Sequence, residues 1–138
     1  MRPGLRIVGR RIALTVALAA GIVAPVTGPV SAAPAPTVIH DCSGKAFVEP
    51  EMINSIFCAD VGIIVTDIRW SRWTAELAVG NGVEHRKTCV PNCAEGPIAV
   101  QPVDVTLFAP ENGEFTQIRL GDEYGVSNTY ELTGTLRR

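Results

Sequence analysis

Residues 62–82 read GIIVTDIRWSRWTAELAVGNG. Between Gly62 and Trp70, positions Ile64, Thr66, Ile68 and Trp70 share one parity while Asp67 and Arg69 take the other, the period of two that marks a half-buried strand. From Trp73 to Val79 the inward set becomes Trp73, Ala75, Leu77 and Val79. The first set is even-numbered and the second odd, and a slip of one residue sends every side chain to the opposite face. The stretch therefore predicts a bulge or corner at Ser71-Arg72 that lets both tryptophans point inward. Gly80-Asn81-Gly82 follows as a hairpin signal, with Val83 to Cys89 as the returning strand.

The same period continues to the C-terminus. Ile98 to Phe108 reads as a strand in which Val103, Val105 and Leu107 alternate against Asp104 and Thr106. Pro110 to Gly113 makes a turn, and Phe115 to Leu120 continues the sheet. In the last stretch Tyr130, Leu132, Gly134 and Leu136 face one way and Thr129, Glu131, Thr133 and Thr135 the other. The segment PEMINSIF at 50–57 is short enough for one helical turn or for a strand ending at Cys58, and β-branched Ile53 and Ile56 favour the strand. About seven short strands at regular spacing predict an all-β domain, an antiparallel β-sandwich or a partly open barrel.

Upstream of this domain the sequence changes character. Arg2, Arg6, Arg10 and Arg11 precede the uncharged run IALTVALAAGIVA at 12–24, which is too short to span a bilayer and is followed by the helix breakers Pro25, Gly28 and Pro29. Val30-Ser31-Ala32 offers a small-residue cleavage site. Residues 1–32 are thus expected to be a secretory signal peptide, 33–41 a flexible Ala/Pro lead, and 42–138 a single domain, secreted and with no stable membrane insertion after cleavage. Export could follow the general secretory or the twin-arginine route. Four of the chain's twelve basic residues lie in the first 32, which leaves eight against fourteen acidic groups in the remainder. That sign repels phosphate backbones, so nucleic acid is not an expected partner.

All four cysteines, Cys42, Cys58, Cys89 and Cys93, follow the cleavage site, and an even count in an exported domain reads as two disulfides. Of the three pairings, Cys42 with Cys58 and Cys89 with Cys93 is favoured, because Pro91 and Asn92 turn the tight CVPNC loop back on itself. The C-x3-C spacing fits neither structural zinc nor a thioredoxin-type redox pair, so neither metal nor cofactor is expected.

Cys58-Ala59-Asp60, Trp70-Ser71-Arg72-Trp73, Gly80-Asn81-Gly82 and Cys89-Val90-Pro91-Asn92-Cys93-Ala94-Glu95-Gly96 occur in that order. With these motifs the chain resembles a group of small secreted actinobacterial proteins that share C-x-D, W-x-x-W, G-x-G and C-x-P-N-C-A-x-G. The resemblance covers residue 42 to about 120, includes a strand like that at Pro102 to Leu107, and leaves out the segment from Asp122 to Arg138. It implies an exported β domain and brings no activity with it.

Candidate sites are few. Trp70 and Trp73 could form an aromatic platform for sugar rings, although two large rings also suit the core of a small domain. The string WSRWT resembles the W-S-x-W-S box of animal cytokine receptors, which would imply Arg69 or Arg72 stacked on an indole. Pro91 and Asn92 could present a rigid recognition loop of the protease-inhibitor kind, or the loop could simply staple two strands. Trp70, Arg72, Trp73, Pro91 and Asn92 are therefore the expected ligand or partner contacts. For catalysis, His85 beside Glu84 lacks a nucleophile elbow, and Asp60 with Asp67 is a carboxylate pair that any acidic β domain would supply. The first functional expectation is an exported non-enzymatic domain that binds a protein or glycan at the cell envelope. A secreted hydrolase inhibitor comes second and a small hydrolase third.

Overall fold

In a computed structural model of the chain, residues 28, 32–59 and 62–134 are described. The expected signal peptide, apart from Gly28 and Ala32, lies outside them, as do Asp60 and Leu136. The described chain is all-β, with seven strands and no helix, in two antiparallel sheets. Strands β1 (Ile39–His40) and β2 (Ala46–Phe47) form the small sheet. The large sheet is a meander in chain order of β3 (Ile63–Trp73), β4 (Ala78–Lys87), β5 (Ile98–Glu111), β6 (Glu114–Gly121) and β7 (Ser127–Glu131).

Residues 51–55 join the two edges of this meander. Ile53 exchanges both backbone hydrogen bonds with Val65 of β3, at 2.8 and 3.0 Å, and the Glu51 carbonyl accepts from the Ile68 amide. Two residues on, the Ser55 carbonyl accepts from the amides of Thr133 and Gly134, just beyond β7. The result is a partly closed barrel, the second of the two expected architectures. The segment itself makes a single bridge followed by a turn where a strand was expected. The Ala/Pro lead is also shorter than expected: Thr37 and Ile39 are buried, and Val38 bridges Glu114 in parallel.

The face assignment along β3 needs correction. Ile63 and Val65 are buried, whereas Ile64 and Thr66 lie on the outer face. The reading failed because Asp67, at φ 53°, sits in a bulge where the register shifts between Thr66 and Arg69. This bulge flips the parity and returns Ile68 and Trp70 to the inside. The expected irregularity at Ser71-Arg72 is present as a second shift between Trp70 and Arg72.

Gly80-Asn81-Gly82 does not form the hairpin. These residues run through the middle of β4, and the turn lies at residues 74–77, where the Thr74 amide and hydroxyl both donate to the Leu77 carbonyl. The glycines answer the bulges opposite them. A Cβ on Gly80 would lie 2.6 Å from the Arg69 carbonyl oxygen, and one on Gly82 would lie 2.9 Å from that of Thr66. The β5–β6 connection, by contrast, is a two-residue turn at Asn112-Gly113, both left-handed, as that hairpin type requires.

One core fills the interior. Val103, Val105 and Leu107 of β5 meet Phe115, Ile118 and Leu120 of β6, with Ile53, Ile56, Val65 and Ile68 opposite. Burying a side chain of this class contributes roughly 1.5–3 kcal/mol. Both expected disulfides are present, Cys42–Cys58 and Cys89–Cys93.

Candidate functional site

The two tryptophans are half-buried and pack against the core. Trp70 and Trp73 meet edge to face at 4.8 Å, and Trp73 meets Phe115 in the same way at 5.5 Å. Each indole N–H is also engaged: Trp70 donates to the Pro50 carbonyl at 2.8 Å and Trp73 to that of Thr37 at 2.9 Å. The pair therefore pins the N-terminal crossing segment to the sheet, and its faces are not stacked as an open platform. Arg69 and Arg72 are exposed. The cation–ring contacts among the described residues lie elsewhere, with Arg86 over Tyr130, Arg119 over Phe108 and Lys45 over Phe47.

The disulfide loop connects β4 to β5. The Asn92 side chain organises it from within: its carbonyl accepts from the amides of Ala94 and Glu95, both at 3.0 Å, and its amide donates to the Glu95 carboxylate. Gly96 closes the turn by donating its amide to the Asn92 main-chain carbonyl, and a Cβ there would collide with the Thr88 carbonyl oxygen. Asn92 is thus a loop-building residue, exposed as Pro91 is, and the large apolar side chain the loop exposes is Val90, at 76%.

His85 does not meet a carboxylate directly. Its Nε2 lies 3.1 Å from the Thr66 hydroxyl, which donates to Asp67 at 3.0 Å. With that proton directed at Asp67, the imidazole is left to donate to the hydroxyl oxygen. A nucleophilic triad requires the base between hydroxyl and carboxylate. Here the hydroxyl stands in the middle, so the arrangement fixes side chains without activating a nucleophile. His40 makes a separate surface pair with Glu114 at 2.5 Å. Among the described residues no three His, Cys, Asp or Glu side chains converge as a metal-binding set.

Two features escaped the sequence reading. The first is Glu84, fully buried on the inner face of β4. Arg86 donates to one of its oxygens at 2.5 Å and Gln101 to the other at 2.7 Å. Partial burial works to lower the Arg86 pKa, yet its hydrogen bond to Tyr130 and the charges of Glu84 and Tyr130 hold it above the usual guanidinium value. Glu84 and Arg86, two apart on a strand, share a face, and that spacing was the available signal.

The second feature is a sheet edge. β5 pairs with β4 along its first ten residues, from Ile98 to Leu107, but with β6 only from Asp104 onward. The stretch from Ile98 to Val103 therefore has no strand on its second side among the described residues. Thr88 donates to the Pro97 carbonyl, and the ladder alternates from there. The backbone N–H and C=O groups of Ile98 and Val100, and the C=O of Pro102, thus point to the open side. Pro102 stands where a missing N–H leaves no ladder bond unmade. The side chains of Ile98 and Val100 are 52% and 59% exposed on the outer face. Where β6 departs, Asp104, Asp122 and Glu123 join Asn81, Gly82 and Pro102 around a concavity of about 330 Å³.

The chain matches no protein-family model, no curated protein and no solved structure.

Proposed function

We propose that this is an exported, non-enzymatic domain that binds another protein through the outer end of the β4–β5 hairpin. The observation that carries the reading is the unpaired first half of β5, with Ile98 and Val100 exposed on it and Val90 exposed on the disulfide loop that leads into it. Apolar side chains on an unpaired edge are an invitation to association, and a monomer with no partner would blunt such an edge with charge. Two disulfides fit work in an oxidising compartment, and the likeness to small secreted actinobacterial proteins points the same way. Glycan binding has less support, because both indoles pack edge to face against the core and each N–H is taken by a backbone carbonyl.

The test is retention of a partner from the envelope and culture-fluid fractions of the source cells by immobilised protein. Ile98→Asp should abolish the retention while leaving the circular dichroism spectrum unchanged. Retention of a glycan on an array, with protein retention indifferent to Ile98→Asp, would overturn the reading. Stoichiometric loss of protease activity that survives Ile98→Asp but not Val90→Asp would favour the inhibitor reading.

A further inference from the structure

The geometry points to the kind of segment that this edge accepts: we infer that an extended, basic stretch of a partner protein adds to β5 as a further strand and places a Lys or Arg in the Asp104–Asp122–Glu123 concavity. The inference rests on the protein-binding reading and deepens it. Its backbone part follows from the ladder. Ile98 and Val100 each present a donor and an acceptor to the open side, spaced as an incoming strand requires. An added strand would occupy the track that β6 vacates after Gly121, since β6 is the neighbour β5 loses there.

Its chemical part follows from what lies at the end of that track. The chain turns away at Asp122, whose carboxylate accepts from the amides of Tyr124 and Val126 through one oxygen, Oδ1. Asp104 and Glu123, two further acidic residues, line the same concavity. A strand running into this space meets three acids, and a cationic side chain is the complementary end group. Beside it, Ile98 and Val100 offer an apolar outer face to alternate residues of the incoming strand. A second copy of this chain fits less well, because its eight basic against fourteen acidic groups beyond residue 32 would bring like charge to an acidic site.

The test uses two synthetic peptides of about ten residues, alternating Val and Thr, one ending in two lysines and the other in two glutamates. The lysine peptide should bind about tenfold more tightly, and its advantage should shrink as salt is added. On binding, the amides of Ile98 and Val100 should become protected from hydrogen exchange. Asp104→Asn with Glu123→Gln should erase most of the difference between the peptides. Val100→Pro removes a backbone donor that β4 does not use, so it should abolish binding of both peptides while the melting temperature stays within a few degrees. Equal affinity of the two peptides overturns the inference, as does binding indifferent to Val100→Pro. A dimer in sedimentation that Val100→Pro dissolves would also overturn it, by assigning the edge to a second copy. If the peptides fail while Ile98→Asp still abolishes partner retention, only the β-addition step falls. If retention is also indifferent to Ile98→Asp, the binding reading falls with it.

Discussion

The β4–β5 hairpin is one unbroken ladder with two different halves. From Ala78 to Asn81 it pairs with Asp104 to Leu107, and β3 and β6 flank it on both sides, so Val105 and Leu107 are wholly buried. From Val83 to Lys87 it pairs with Ile98 to Pro102, and every one of those five β5 residues is exposed. Face and neighbour both distinguish the halves: Val103, Val105 and Leu107 point inward and Ile98 and Val100 outward, yet where β6 is missing the inward-facing Ala99 and Gln101 are exposed as well. Apolar character in β5 thus serves the core in one half, and in the other half it is available for association.

This contrast can be broken most directly by truncation in each half. Leu107→Ala should cost about 3 kcal/mol, the usual loss for a filled core position, whereas Val100→Ala should change stability by less than about 0.5 kcal/mol in chemical denaturation. Comparable losses from both would show that the outer half is covered after all. The boundary between the halves is held by Glu84, the one charged side chain buried wholly on the inner face of the hairpin. Arg86→Leu strips it of its cation and should cost about 2 kcal/mol, less than the loss for a fully buried pair because Arg86 is 35% exposed. Replacing both Glu84 and Arg86 with leucine should recover most of that loss.

In the closed half, Gly80→Ala forces a methyl against the Arg69 carbonyl and should cost about 1.5 kcal/mol, while Gly121→Ala, with only ordinary contacts nearby, should be tolerated. The smallest effect lies outside the hairpin. The Ser43 hydroxyl, and then the Lys45 amide, hold the Asp41 carboxyl below the usual carboxylate range. A lowered pKa contributes stability above the unfolded value that is lost as pH falls through the folded one. Asp41→Asn should therefore lower stability slightly at neutral pH, where the contribution is fully present, and match the parent protein at low pH, which flattens the acid limb of the stability profile. Arg86, shifted upward from an already high value, adds no pH dependence in any ordinary range.

Much of this architecture was legible in the residues themselves. The alternation of Val103, Val105 and Leu107 named the inner face of β5, and both disulfide pairs followed from spacing and turn chemistry. The corner at Ser71-Arg72 was legible because Trp70 and Trp73 could not share a face without it. The bulge at Asp67 was hidden, since Ile63, Ile64 and Val65 are all apolar and support either parity. Gly80 and Gly82 misled because glycine serves tight turns and close backbone approach alike, and only the facing strand decides between them. The open edge of β5 could not be read at all, because it depends on where β6 stops.

The segment that fastens β3 to the end of β7 also sets a kinetic order. Ser55 and Thr133 stand 78 positions apart, so the last seam of the barrel unites the two ends of the domain. Contacts of such long range slow the search for the native state, into the millisecond-to-second regime for comparable β topologies. Until that seam forms, β3 keeps a second bare edge, and the interval before sealing is when this chain is most exposed to mispairing with its neighbours.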